Sequence, residues 1–130
     1  MELNTAIRRR IVFFVLAGCA FLVTEFGRFR YRPWVRANDI DDFGLADSIG
    51  NLGGILVQIF FVLAVVGGTR RKSFIMATGM AVGYVIYEFA QPYLPKGTFD
   101  WGDVLATGIG YVVAMPVVWL VWRATDRPTC

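Results

Sequence analysis

The chain has 130 residues, of which 56% are hydrophobic and only 18% charged, with 13 Lys and Arg against 10 Asp and Glu. A soluble domain carries about a quarter charged residues, and here the uncharged residues gather into four runs, 11–24, 48–69, 73–87 and 104–122. That distribution excludes a soluble globule, a disordered tail and a disulfide miniprotein. The basic excess reads as loop arginines that set membrane orientation rather than as a nucleic-acid surface.

The predicted architecture is an all-α membrane protein, one transmembrane domain over 1–130. A spanning helix needs about 20 mostly apolar residues. The first run reaches that length only by extending past Glu25, giving a helix over roughly 8–28. The segment Arg28-Phe29-Arg30-Tyr31-Arg32-Pro33-Trp34-Val35-Arg36 then alternates basic and aromatic residues. It reads as an interfacial loop, with aromatics at headgroup depth and arginines reaching phosphates. Its other reading is a bidentate arginine site for a phosphate or pyrophosphate lipid.

The second helix covers roughly 45–68. The third reaches spanning length only if Glu88 and Gln91 are included, giving 73–94. The fourth covers roughly 101–122 and contains Pro116, which removes a backbone donor and predicts a bend. Gly50 and Gly54 in the second helix, and Gly79 and Gly83 in the third, have the small-xxx-small spacing that lets membrane helices approach closely. Basic residues number eight at the end holding both termini and the 70–72 loop, against five at the other. The positive-inside rule therefore places both termini in the cytoplasm.

There is no histidine, and the two cysteines, Cys19 and Cys130, are far apart in sequence. No metal-ligand spacing, phosphate loop or nucleophile motif is present, so no cofactor, metal or catalytic residue is expected. Leu16-Ala17-Gly18-Cys19 has the form of a lipoprotein cleavage box, after which Cys19 would be lipidated. The apolar run continues past Cys19 to Val23, which favours a spanning helix with Cys19 as a small buried hydrophobe.

The chain also reads as two tandem helical hairpins. Glu25-Phe26-Gly27-Arg28 and Glu88-Phe89-Ala90-Gln91 end the first and third helices. Asp47-Ser48-Ile49-Gly50-Asn51 and Asp103-Val104-Leu105-Ala106-Thr107 open the second and fourth. Positions i, i+4 and i+7 share a helix face, so Asp47, Asn51 and Gly54 form one stripe and Asp103, Thr107 and Gly110 another. Both stripes are expected to face the bundle interior, related by a pseudo-two-fold axis. Glu25, Asp47, Glu88 and Asp103 then collect at one membrane depth.

The aspartates suit helix N-termini, where acids accept from free backbone N–H groups. The glutamates sit toward C-termini, where negative charge opposes the dipole. Arg28 can pair with Glu25 at i+3. Glu88 has no such neighbour, and an ionisable group in a membrane helix faces the bundle interior or water. A cation, a proton, a polar headgroup or a loop arginine could be its partner. The expectation is that Glu88 and Asp103 lie together with Gln91 nearby, bridged by Arg28, Arg30 or Arg32 from the first hairpin.

Within the second hairpin, Glu88 and Gln91 end a helix, a Pro/Gly loop follows, and Phe99-Asp100-Trp101-Gly102-Asp103-Val104-Leu105-Ala106-Thr107 leads to Gly110. This stretch resembles the VanZ-like family of small bacterial membrane proteins, with its E-x-x-Q helix end and F-D-x-x-D-(I/V)-L-A-N-x-x-G pattern. Thr107 stands where the family has asparagine, and Asn51 fills the corresponding place in the first repeat. The resemblance implies a protein of the bacterial cytoplasmic membrane with an envelope connection, and no established reaction. Beyond the lipid bilayer itself, two partner classes are expected: a lipid headgroup or ion held by the polar cluster, or a larger membrane complex in which the chain is a non-catalytic accessory subunit. An intramembrane enzyme would have only the carboxylates to work with.

Overall fold

The structure is a computed structural model that describes residues 2–126. It has four helices long and apolar enough to cross a membrane, and no strand among the described residues. The elements in chain order are α1 (Glu2–Phe26), a π-helical turn (Gly27–Tyr31), α2 (Arg32–Ala37), α3 (Leu45–Val66), α4 (Arg70–Ala90), a 3-10 turn (Gln91–Tyr93) and α5 (Trp101–Thr125). The chain is a multi-pass membrane protein by the length and composition of these spans.

The first span departs most from expectation. The arginine-rich segment is not a loop: helix continues through the π turn and α2 to Ala37. Pro33 falls in the first turn of α2, where its missing N–H costs little and its φ already suits a helix. The π turn lets the Arg32 N–H reach back to the Gly27 carbonyl, so the chain stays helical while its phase changes. Other ends move by less. Thr69 caps α4 by accepting from the Lys72 N–H at 3.3 Å, so that helix starts at Arg70 rather than at 73. α5 runs unbroken across Pro116 to Thr125.

α3 is the central helix and packs against α1, α4 and α5. The core around it is Phe13 and Ala17 of α1, Ile55, Ile59 and Leu63 of α3, Ala77 of α4, and Ala114 and Val118 of α5. Large apolar side chains also cover the outside, such as Phe14, Leu22, Phe61, Val82, Ile109 and Val112. Helices that are apolar all round are membrane spans, since lipid takes the place of water on the outer face. Packing between such helices rests on close approach rather than on exclusion of water.

Close approach is made at Gly53, which lies against the Thr24 side chain, and at Gly110, which lies against Ile55 and the Leu52 carbonyl. The glycine pairs singled out by spacing are used differently. Gly54 faces the Tyr84 hydroxyl, whereas Gly50, Gly79 and Gly83 have nothing within 4 Å of a β-carbon position. Cys19 is exposed on α1 rather than buried, because the α1 face packed on α3 is the one carrying Phe13 and Ala17. Cys130 and Arg127 lie outside the described residues.

The two ends of the bundle differ in charge. One end gathers the end of α1, α2, the starts of α3 and α5 and the end of α4; all four carboxylates singled out above are there. The opposite end carries Arg8–Arg10, Arg70–Lys72 and Arg123. Between α4 and α5, Phe89, Phe99 and Trp101 stack with centroids 5.0–6.0 Å apart, and Gly97 lies directly on the Gln91 carbonyl. That connection is therefore short and packed, and it holds the end of α4 beside the start of α5.

Candidate functional site at the acidic end

The four carboxylates divide into two kinds. Glu25 and Asp47 are met by arginines. Arg28 donates to Glu25 at 2.9 Å, the i,i+3 pair expected from spacing. Arg36 and Arg32 both reach Asp47, at 2.6 and 3.1 Å. Arg32 and Arg36 are four residues apart on the helical extension, so one face delivers both guanidinium groups to the start of α3. Arg30 makes no ion pair among the described residues.

Asp47 therefore does not face the bundle interior, as its stripe predicted; its side chain is 56% exposed. The cause is the helical course of Arg32–Ala37, which puts two cations outside the bundle at the level of α3. Exposed pairs of this kind contribute about 0–1 kcal/mol. Asp47→Asn is accordingly expected to cost less than about 1 kcal/mol in detergent unfolding, with the difference shrinking further as salt is raised.

Glu88 is the other kind. It is 1% exposed and no arginine reaches it, contrary to the bridging arrangement expected from the sequence. The Arg28–Arg36 segment is helical, and the guanidinium groups of Arg28, Arg32 and Arg36 are drawn to Glu25 and Asp47 instead. Two amides hold the Glu88 carboxyl: Asn51 Nδ2 donates to Oε1 at 3.2 Å and Gln91 Nε2 donates to Oε2 at 2.7 Å. Asp103 is within electrostatic reach of Glu88, with the Ser48 and Asn51 side chains beside its own carboxyl. Asn51 thus stands between two carboxyl groups and serves both. The geometry brings Glu88, Gln91, Asn51 and Asp103 together and leaves Glu25 and Asp47 at the rim.

The capping roles also separate. Asp100 accepts from the Gly102 N–H at 2.7 Å, and Asp42 accepts from the Ala46 N–H at 2.7 Å. Asp100 is the N-cap of α5, and Asp42, two residues before the Gly44 N-cap of α3, takes up a first-turn N–H in the same way. Asp103 follows a cap already made and is turned toward α3.

Thr107 lies one turn along α5 from Asp103 on the same face. It is fully buried, and its hydroxyl has no hydrogen-bond partner among the described residues. Buried hydroxyls are nearly always paired, and a threonine in a helix commonly turns to the carbonyl four residues back; Thr107 does not.

A pocket of about 370 Å³ opens between α3 and α4 onto this cluster, lined by Asn51, Gln58, Gly83, Tyr84, Tyr87 and Glu88. Spacing anticipates its walls in part. Gln58 is seven residues from Asn51, and Tyr84 is four residues before Glu88, so each pair shares a face. The Tyr84 hydroxyl has the Gln58 side chain beside it and stands over Gly54. Ser48, Gln58 and Tyr87 are members that sequence reasoning did not pick out. Among the described residues, no three His, Cys, Asp or Glu side chains converge as metal ligands. The arrangement can accept hydrogen bonds or positive charge from a guest. No family model matches the chain, and neither a curated protein nor a solved structure matches it.

Proposed function

We propose that the protein is a small multi-pass protein of the bacterial cytoplasmic membrane, similar to the VanZ-like family, that binds an amine-bearing lipid headgroup at its acidic end. Both termini lie in the cytoplasm on this reading, by the excess of basic residues at their end, so the site faces outward and serves the envelope. Two tandem hairpins account for the repeated Glu and Asp positions in the sequence, and the two halves use them differently: Glu88 and Asp103 in the cluster at the pocket, Glu25 and Asp47 in ion pairs at the rim.

The observation that carries the proposal is the Glu88 carboxyl, buried and held by two amides with no cation beside it, at the wall of a lateral pocket. An ionised group inside a membrane span is costly and marks a functional site unless a partner neutralises it. An ammonium group supplies charge-assisted hydrogen bonds to the carboxyl, and Tyr84 and Tyr87 offer aromatic faces to the same cation. Access from the side of the bundle suits a lipid, which reaches the site without leaving the bilayer.

The test is native mass spectrometry of the detergent-solubilised protein with phosphatidylethanolamine, phosphatidylcholine and phosphatidylglycerol of matched chains. Phosphatidylethanolamine is expected to be retained best. Glu88→Gln is expected to weaken that retention about tenfold or more, the worth of a hydrogen bond to a charged group. Equal retention of the three lipids, or unchanged retention in Glu88→Gln, rejects the reading.

A second reading is favoured by α4. Gly79 has the spacing for helix contact yet has nothing within 4 Å of a β-carbon position and lies outside the pocket, which suits docking of another protein's helix. Under that reading the chain is an accessory subunit of a larger membrane complex. Crosslinking from position 79 in native membranes would then capture a specific partner, and Glu88→Gln would leave the capture intact.

A further inference from the structure

We propose that the opposite, basic end of the bundle holds a separate site for the phosphodiester headgroup of an anionic phospholipid. A cavity of about 240 Å³ lies there, between α1, the α3–α4 connection and α5. Its polar wall is made by Arg9, Arg10 and Ser73, its floor by Phe13, Leu63 and Trp122.

The two arginines are placed for different work. Arg9 is a fixed strut. It donates to the Thr125 hydroxyl at 2.9 Å, pairs with Asp126, and lies 3.3 Å over the Trp122 ring. Trp122 is fixed in turn by its Nε1 donating to Ser73 at 3.2 Å. Arg10 spends a single contact, Nη2 to the Val66 carbonyl at 3.2 Å, and its guanidinium lies along Gly67. A guanidinium has five N–H donors. Those left over on Arg10 have no protein partner among the described residues.

Basic residues also outnumber acidic ones at this end. Asp126 is engaged by Arg9. Arg70, Arg71 and Lys72 occupy the first turn of α4, which holds no acid. Cations there oppose the helix dipole, so the helix gains nothing from them locally, and their field serves an anion from outside the chain.

The anion is a lipid rather than a free one by the shape of the surroundings. Leu3 and Ile7 form an apolar lip on the cavity. Ile7, Ile11 and Phe14 continue from that lip along one face of α1, each about half exposed or more. A headgroup phosphate seated against Arg10 would leave its acyl chain lying along that stripe. Basic pockets at the ends of membrane helices take anionic headgroups in this manner, and an arginine fork matches two phosphate oxygens.

The experiment compares Arg10→Gln with Arg8→Gln, which removes the same charge one residue-pair away but outside the cavity. In native mass spectrometry with phosphatidylglycerol, wild type and Arg8→Gln are expected to retain the lipid alike. Arg10→Gln is expected to lose about tenfold, as does wild type given phosphatidylcholine. Inorganic phosphate in millimolar excess is expected not to displace the lipid. Equal loss in the two variants, or displacement by phosphate, overturns the proposal. Because Arg10 also touches the end of α3, wild-type melting is a second readout. Phosphatidylglycerol should raise the midpoint above that in phosphatidylcholine, and equal midpoints overturn the proposal. Glu88→Gln should lose phosphatidylethanolamine while retaining phosphatidylglycerol, and should keep the midpoint difference between phosphatidylglycerol and phosphatidylcholine whatever its own midpoint, which separates this site from the one at the acidic end.

Discussion

Gly53→Ala and Gly110→Ala are expected to destabilise the bundle by about 2–3 kcal/mol each, the upper part of the range for overpacking, while Gly79→Ala leaves it unchanged or slightly more stable. Each change adds one β-carbon. At Gly53 that atom would overlap the Thr24 side chain, and Thr24 cannot swing away freely, since its hydroxyl donates to the Ala20 carbonyl at 2.7 Å. At Gly110 it would meet Ile55 and the Leu52 carbonyl oxygen. The first is a flexible side chain, but the second is backbone of a neighbouring helix and can give way only if α3 and α5 separate. Gly79 has open space around it, so alanine there adds helix propensity of up to about 1 kcal/mol at no steric cost. Unfolding of the purified protein in mixed detergent measures all three. A loss at Gly79 as large as that at Gly53 would mean that α4 also packs on something through its glycine face.

This contrast shows where the sequence was readable. The spans were legible because lipid imposes a crude requirement, length and apolarity, that four uncharged runs meet without reference to any contact. The choice of packing glycines was not, because GxxxG spacing recurs in any glycine-rich span. Which glycine faces a neighbour depends on helix rotation, and rotation here follows from side chains such as Thr24 and Ile55. The same applies to the arginine segment. Alternating basic and aromatic residues look interfacial, and Pro33 looks like a break. The proline lands where a helix tolerates it, and the π turn before it carries the helix on. That single difference moved Arg32 and Arg36 away from Glu88 and onto Asp47. The company of Glu88 was partly legible, since Gln91 is one turn on and a short connection had to bring Asp103 near. Asn51 between the two carboxyls required the α3–α4 contact, for which no local pattern exists.

Glu88→Ala is expected to lower stability by about 2 kcal/mol, and Glu88→Gln to raise it. Alanine removes the acceptor for Asn51 and for Gln91 at once and leaves a hole where a fully buried side chain stood. Unpaired buried donors cost about 1–3 kcal/mol apiece, offset where Asn51 turns to Asp103 and where Gln91, partly exposed, finds water. Glutamine keeps the volume and one carboxamide oxygen to accept with. It also abolishes the repulsion between Glu88 and Asp103 and the burden of holding a charge in a dry site without a cation. Its new N–H₂ takes the place of an acceptor used by Asn51 or Gln91, whose amide must turn its oxygen inward, and it can donate to Asp103. A gain of about 1 kcal/mol is then expected for Glu88→Gln, the trade seen where a residue is kept for binding at the expense of stability. A cycle with Asn51→Ala isolates the contact itself: the loss at Glu88→Ala should shrink by about 1 kcal/mol when Asn51 is already gone. If Glu88→Gln instead melts well below wild type without any added lipid, the carboxylate is holding α3 to α4 as a structural group, and the pocket beside it is not what the charge is kept for.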